Sequence, residues 1–364
     1  MPDAIKLPNL TVAVVNYNGR PYLAETIRAV QLAAPSGTEI AIVDNASTDD
    51  SRAFVESEFP EVQIWAKPAN DGPGHARNLA LAKAKSRHVL LLDNDVSPEP
   101  ECIDSLFEGL QQHPSASVAL TNIVYHDQND ITQFAGAASH FLGTVIPLWA
   151  KQPREACGNV VFTCSSLISS ALLVDRERLG NLTLFNEDLF IYFEDHEAGL
   201  RCNIAGQRII CVPHATCRHR EGSIGLSVRQ TGEVKPIRIQ QSILNRWYVL
   251  MTLYQKRTLA RFLPALVFFE AVQLGGAIAN GWTPHWLWAA KELFARRKRI
   301  FAQRAEVRRI RLVPDSQILE GGSFPFNREL KSSKIQALGQ GMINVVCHIN
   351  WSLTGPKNHS RNGE

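Results

Sequence analysis

Apolar and polar blocks alternate regularly through the N-terminal third of the chain. Leu10–Asn16 reads LTVAVVN, a continuous run rich in β-branched residues of the kind that forms strands buried on both faces. It stops at Asn16-Tyr17-Asn18-Gly19. Pro21 then predicts a helix to about Ala33, because proline suits the first helical turn. Glu39–Val43 predicts a second strand, ending at Asp44-Asn45, and Ser47-Thr48-Asp49-Asp50 is placed to cap the next helix. Val62–Ala66 predicts a third strand, and Gly72-Pro73-Gly74 precedes a helix over His75–Lys85. His88–Leu92 (HVLLL) predicts a fourth strand, ending at Asp93-Asn94-Asp95. This β-α-β spacing predicts a doubly wound, mostly parallel sheet with right-handed crossovers.

Ligands of such sheets bind beyond the carboxyl ends of the strands. Asn16-Tyr17-Asn18, Asp44-Asn45 and Asp93-Asn94-Asp95 all fall there, so three polar clusters converge on one rim. From about 115 to 175 the pattern blurs into short strands and Gly/Ser-rich turns. The stretch FNEDLFIYFEDHEAGLRCNIAG then predicts a short helix opened by Glu194-Asp195 and closed by Gly206. Arg208–Val212 predicts another strand, leading through His214 and His219 to Gly222-Ser223. Pro236 to about Arg311 reads as amphipathic helices rich in Leu, Phe, Trp and Arg, and 313–364 as an irregular tail.

Composition narrows the class. The 364 residues are 45% hydrophobic and 20% charged, which suits a folded globular protein and excludes disorder. A net charge of +3 is too balanced for a general nucleic-acid binder. Between Lys291 and Arg311, however, nine basic residues face two acidic ones, so a slightly acidic body carries one basic segment. Seven cysteines with no C-x-x-C pair predict reduced thiols in the cytosol. The opening residues have no apolar leader core, so no signal peptide is expected. Phe262–Asn280 comes closest to a membrane span, but Glu270 and Gln273 interrupt it, and a span needs about 20 mostly apolar residues. It is not read as spanning.

Asp93 and Asp95, one residue apart after a buried strand, form the hard-oxygen arrangement that holds Mg2+ or Mn2+ with a diphosphate. An Asp-rich turn alone would look the same, but the strand end and the two neighbouring clusters favour a site. Beside them stand VAVVNYN (12–18), IVDNASTDDS (42–51), NDGPGHARNLALAKA (70–84), LLLDND (90–95) and the FIYFEDHEAGLRCNIAG run with HREGS (219–223). In order and spacing, these segments resemble family 2 glycosyltransferases of the GT-A fold, particularly the rhamnosyltransferase-like branch. The resemblance spans about residues 9–225. It implies that Asn16, Tyr17, Asp44, Arg77, Asp93 and Glu194 bind the nucleotide-sugar, with Asp44 on the base and Asp93 near the ribose. It further implies Asp95 and His219 on the metal and Asp195 as catalytic base. The chain departs from relatives at Asn186, where they often carry Asp, at Glu197, where Asp is usual, and at Ser170, where Gly is usual.

The chemistry agrees with that assignment. Transfer from a nucleotide-sugar needs a neutralised diphosphate leaving group and one carboxylate to take the acceptor proton. A single base and direct displacement predict inversion, whereas a glycoside hydrolase needs two carboxylates across the bond. Glu194-Asp195 could equally be an ordinary acidic helix start, but the apolar FIYF run before it favours burial. Glu197 and Arg201, four apart, read as a helical ion pair. Cys211, His214, Cys217 and His219 fit no common zinc framework.

The expected organisation is a GT-A catalytic domain over 1–233, a basic helical region over 234–312 and the tail over 313–364. Arg296-Arg297-Lys298-Arg299 follows Trp282, Trp286 and Trp288, a combination suited to an anionic membrane surface. The expected protein is thus an inverting, metal-dependent glycosyltransferase, cytoplasmic and peripheral on the cytosolic membrane face. Its donor would be a dTDP-, UDP- or GDP-linked sugar, its acceptor lipid-linked or a polysaccharide, and nucleic acid is not an expected partner. A sugar nucleotidyltransferase would carry a Gly-rich basic loop where Asn16-Tyr17-Asn18-Gly19-Arg20-Pro21 stands. A catalytically inactive membrane-bound module is a further alternative, which loss of Asp95 or Asp195 would have favoured.

Overall fold

A computed structural model of the chain describes residues 10–220, 235–324 and 334–356. Two compact units are distinguished, residues 1–137, 147–202 and 207–233 in one, and 138–146, 203–206 and 234–364 in the other. Glu221, Gly222 and Ser223 of the HREGS run lie outside the described residues, as does the expected boundary at 233/234.

The first unit alternates strands and helices as far as β5: β1 (Leu10–Asn16), α1 (Arg20–Ala33), β2 (Glu39–Asp44), α2 (Ser51–Glu58), β3 (Gln63–Ala66), α3 (Pro73–Lys83), β4 (His88–Asp93) and β5 (Val96–Pro98). In chain order there follow α4 (Cys102–Gln112), β6 (Ala116–Tyr125), β7 (Thr132–Ala135), β8 (Ala137–His140) and β9 (Thr144–Pro147), the last two belonging mainly to the second unit, then β10 (Phe162–Cys164), β11 (Ala171–Asp175), α5 (Arg176–Leu179), α6 (Glu194–Ile204) and β12 (Arg208–His219). The main sheet runs β10-β12-β6-β11-β4-β1-β2-β3. Its β4-β1-β2-β3 half is parallel, and β11 enters antiparallel to both β4 and β6. The result is a mixed α/β sheet with a parallel half, the architecture that the GT-A expectation requires.

Strand periodicity explains why β1 reads as continuously apolar. Val12 and Val14 point to the face covered by Leu23, Ile27 and Val30 of α1, while Ala13 and Val15 meet Ala76 and Ala80 of α3 on the other. The ten-residue β6 escaped the sequence pattern because Ser117, Thr121 and Asn122 are buried within it. Asn122 is satisfied there, donating to Cys157 Sγ and accepting from Thr132 Oγ1. The capping expectation for α2 is corrected in part. The Ser51 amide bonds Asp49 Oδ1 at 3.1 Å, whereas Ser47 turns inward to Asn16 and the Asn18 amide.

The second unit contains α7 (Pro236–Leu253), α8 (Lys256–Ala279), α9 (Thr283–Ala295), α10 (Arg297–Ile310), α11 (Asp315–Ile318), β13 (Leu319–Glu320) and α12 (Lys334–Thr354). Ile239, Ile243 and Leu244 of α7 pack with Ala289 of α9, and Trp247 meets Trp286 edge-on at 5.3 Å. Arg246 is buried, with its Nε donating to Leu142 O at 2.8 Å and its guanidinium ion-paired with Glu270. Glu270, which argued against a membrane span, thus has an internal partner. Arg304 and Arg311 of the basic segment are also committed internally. They donate to carbonyls at the C-terminus of α7, Arg304 to Tyr254 and Arg311 to Leu253.

The irregular tail expected over 313–364 is corrected. β13 pairs in parallel with β8, and α12 is a 21-residue helix. Its periodicity is weak because Met342, Val345, Ile349 and Leu353 make its exposed side apolar. The contrast that reveals an amphipathic helix is therefore missing.

Candidate active site

Parallel β1, β2 and β4 end on one rim, where Asn16 stands in register with Asp44 and Val15 with Asp93. Asn16 is fully buried and ties the three strand ends together. Its Nδ2 donates to Asp44 Oδ1 at 3.1 Å and to Ser47 Oγ at 3.0 Å, and its Oδ1 accepts from Asn94 Nδ2 at 2.9 Å. Asp44 is buried as well, its second oxygen accepting the Ser47 amide at 3.1 Å. Tyr17 stands out from this network, 42% exposed. Gly19 packs against that network, since a Cβ there would lie 1.9 Å from Asn94 Nδ2 and 2.4 Å from Asn16 Oδ1.

A second constellation joins the rim to the start of α6. Gly72 has φ +101°, and a Cβ on it would lie 1.8 Å from the Phe190 carbonyl oxygen. A residue without a Cβ therefore lets the turn before α3 lie against the 185–194 segment. Arg77, buried on α3, donates to Asp93 Oδ1 at 2.6 Å and stands 3.7 Å from Glu194 Oε1. Its guanidinium lies 5.4 Å from the Phe185 ring centroid. Tyr192 and Phe193 both take left-handed backbone angles, φ 63° and 68°. Two such residues in succession store strain immediately before the Glu194-Asp195 pair.

Burial shapes the protonation of this pair. It pushes Glu194 up to about 8, with the Asp195 charge adding to the effect and Arg77 opposing it. Asp195 is also raised, first by burial, against the His196 amide that donates to its Oδ1 at 2.7 Å. Asp93 is raised by burial and then by Asp95, with Arg77 countering. One guanidinium thus holds together carboxylates from two distant segments.

Glu197 and Arg201 form a buried clamp rather than a solvated pair. Arg201 donates Nε and Nη2 to the two Glu197 oxygens at 2.9 and 3.1 Å, and also bonds the Thr183 and Leu184 carbonyls. Asn186 Nδ2 donates to Glu197 Oε1 at 3.3 Å, so two of the departures from relatives touch each other. The sequence signal was an acid–base pair among the apolar residues of α6. The Gly199 backbone is equally constrained, since a Cβ there would lie 2.4 Å from the Leu167 amide nitrogen.

Asp95 and His219 meet through strand pairing, because β5 sets Val96 opposite His219 on β12. His219 Nε2 lies 3.5 Å from Asp95 Oδ2, and its Nδ1 bonds Gln133 Oε1 at 2.7 Å. The Gln133 contact fixes the ring so that Nε2 faces the Asp95 carboxylate. Gln133, on β7, had no sequence signal. No cluster of three or more acidic, His or Cys side chains suited to a metal occurs among the described residues. One buried carboxylate and one oriented imidazole fit a divalent cation whose remaining ligands are diphosphate oxygens and water, not an all-protein cage. Of the residues expected in the site, Arg77, Asp93 and Glu194 come together, with Asp195 next in the chain. Asp95 with His219, and Asn16 with Asp44, form two further groups.

Residues 11–166 match the family model described as Glycosyl transferase family 2. The chain carries a family 2 glycosyltransferase domain. This glycosyltransferase is 26% identical over 235 residues to the N-acetylglucosaminyl-diphospho-decaprenol L-rhamnosyltransferase of Mycobacterium tuberculosis strain H37Rv, covering 58% of this chain and 76% of that protein. It is 25% identical to glycosyltransferase GlyG of Streptococcus pneumoniae serotype 4, covering 59% and 72%. Among solved structures, GalNAc-T7 with UDP, GalNAc and Mn2+ superposes with TM-score 0.58 at 15% identity, over 80% of this chain but only 58% of that one. S. aureus TarS 1-349 with UDP-GlcNAc gives TM-score 0.50 at 17% identity, over 88% and 97%. At such identities these two superpositions speak for the fold alone.

Proposed function

We propose that this glycosyltransferase moves a sugar from a nucleotide-diphosphate donor to a hydroxyl of a lipid-linked or polysaccharide acceptor, with inversion. The observation that carries the reading is Arg77, which ties Asp93 beside the Asp95–His219 pair to the helix start that bears Asp195. In this reading Asn16 and Asp44 shape the nucleoside pocket, with Tyr17 at its edge. Asp95 and His219 would hold Mg2+ or Mn2+, which when bound supplies positive charge for the departing diphosphate. Asp195 takes the proton of the acceptor hydroxyl as its oxygen bonds the anomeric carbon and the nucleoside diphosphate leaves. The rhamnosyltransferase relative, whose printed name specifies an N-acetylglucosaminyl-diphospho-decaprenol substrate, supports a lipid-linked acceptor. In this reading the acceptor is met at the cytosolic face of an anionic membrane.

Two measurements test this. Thermal shifts with UDP, GDP and dTDP, each with and without Mn2+, should single out one nucleotide whose stabilisation depends on the cation. Saturation at about 100 times the dissociation constant adds about 2.7 kcal/mol. Asp95→Ala should remove the cation dependence. Asp195→Asn should lower transfer by about 10²–10⁴-fold while keeping the nucleotide shift. Equal loss of binding and transfer would overturn the base assignment, and no shift with any nucleotide would overturn the donor site.

A further inference from the structure

Exposed apolar side chains are distributed very unevenly. Of the sixteen large hydrophobic residues exposed among the described residues, twelve lie between Met251 and Leu353. Seven of these fall on two helices that pack together, α8 and α12. On α8, Phe262, Ala265, Leu266 and Phe269 face inward. On the opposite arc Leu263, Val267 and Ile278 are 55–61% exposed, flanked by exposed Ala260, Pro264 and Ala271. At 100° per residue the outward positions from Ala260 to Ile278 form one stripe without a charged side chain. The pattern recurs on α12, where Ile343, Cys347 and Asn350 are buried while Met342, Val345, Ile349 and Leu353 form the outer stripe. A water-facing helix arc is normally polar, and contiguous apolar patches of this kind mark an interaction surface.

We infer that the paired outer stripes of α8 and α12 are the surface by which this protein enters a lipid bilayer, lying in the plane of the interface. The inference rests on the reading that the enzyme works at a membrane, and it moves the anchor away from the basic helix α10. Helix α8 is long and apolar enough to cross a membrane, but its inner arc is already occupied. Phe262 stacks on Trp351 at 5.6 Å, and Glu270 is paired with the buried Arg246. A helix with one committed face and one bare apolar face lies along an interface.

Charge selects the occupant. Lys256, Arg257 and Arg261 are exposed at the N-terminal end of the α8 stripe. Arg257 and Arg261 border a cavity of about 200 Å3 that is also lined by Trp351. Arg297, Lys298, Arg308 and Arg309 add exposed basic charge on α10. Basic turns beside an uncharged apolar stripe are complementary to anionic headgroups lying over hydrocarbon.

The test is flotation of the full-length protein with vesicles of phosphatidylcholine containing phosphatidylglycerol, at about 0.1 M and about 1 M NaCl. Wild type should float, and should stay largely bound at the higher salt because apolar insertion is not screened. Val267→Asp combined with Val345→Asp should weaken binding about tenfold or more, with unchanged circular dichroism. Neutralising Arg297, Lys298, Arg308 and Arg309 to Gln should remove only the salt-sensitive part. Wild type that never floats, wild type fully released by salt, or aspartate variants that bind normally would each overturn the inference. So would a solution dimer that the aspartates dissociate, since the stripes would then be a protein interface. Nucleotide thermal shifts on the same samples report separately on the donor site, so failure there leaves the membrane result readable.

Discussion

At the residue scale the site turns on adjacent carboxylates made different by their surroundings. Glu194 is buried behind Arg77 and is held protonated to about pH 8, while Asp195 is half-buried at the first turn of α6. Raising an acid's folded value above its unfolded 4.5 means that stability is complete below 4.5 and is lost as pH rises through 8. Glu194→Gln, a neutral mimic of the protonated acid, should therefore gain in melting temperature over wild type as pH rises across that window, and level off above it. A constant difference at all pH would show that Glu194 is ionised throughout. The Glu-Asp dipeptide was plain in the sequence. Which member holds the proton was not, because that depends on burial and on a guanidinium from another helix.

At the element scale, α6 is placed by its side chains as much as by its own helix signals. Its acidic first turn and the Gly206 stop are local features and were legible. The Glu197–Arg201 clamp onto the Thr183 and Leu184 carbonyls was legible only as an i,i+4 pair. Removing one partner of a buried pair leaves the other charge uncompensated, at about 3–5 kcal/mol. Glu197→Ala should therefore lower chemical-denaturation stability by that order, far beyond the few tenths of a kcal/mol of a solvated helix pair. Strands β1 to β4 were legible because their apolar runs are continuous, whereas β6 was blurred by buried polar residues. Helix α12 was missed because both its inner and outer faces are apolar.

For the whole molecule, the second unit should respond to acid. His140, on β8, accepts the Leu142 amide at Nδ1 and bonds Gly322 O through Nε2. Burial lowers it from 6.5 to about 4. A depressed folded value contributes stability that is present above 6.5 and lost as pH falls toward 4, about 3 kcal/mol at the limit. Melting temperature should fall across that window, and His140→Gln should flatten the fall. An unchanged slope in the variant would assign the acid response to other groups.

Local sequence patterns encode the alternation of strands and helices, the polar clusters at three strand ends and the carboxylates available for chemistry. These are signals of period two and 3.6, or of neighbouring residues, and need no knowledge of partners. Tertiary structure alone decided that Arg77 joins Asp93 to Glu194, that Gln133 orients His219, and that Asn16 and Asp44 turn inward. It also decided which faces of α8 and α12 are left bare. Strand order and register bring residues from distant segments within hydrogen-bonding distance, and no local pattern encodes which of them will meet.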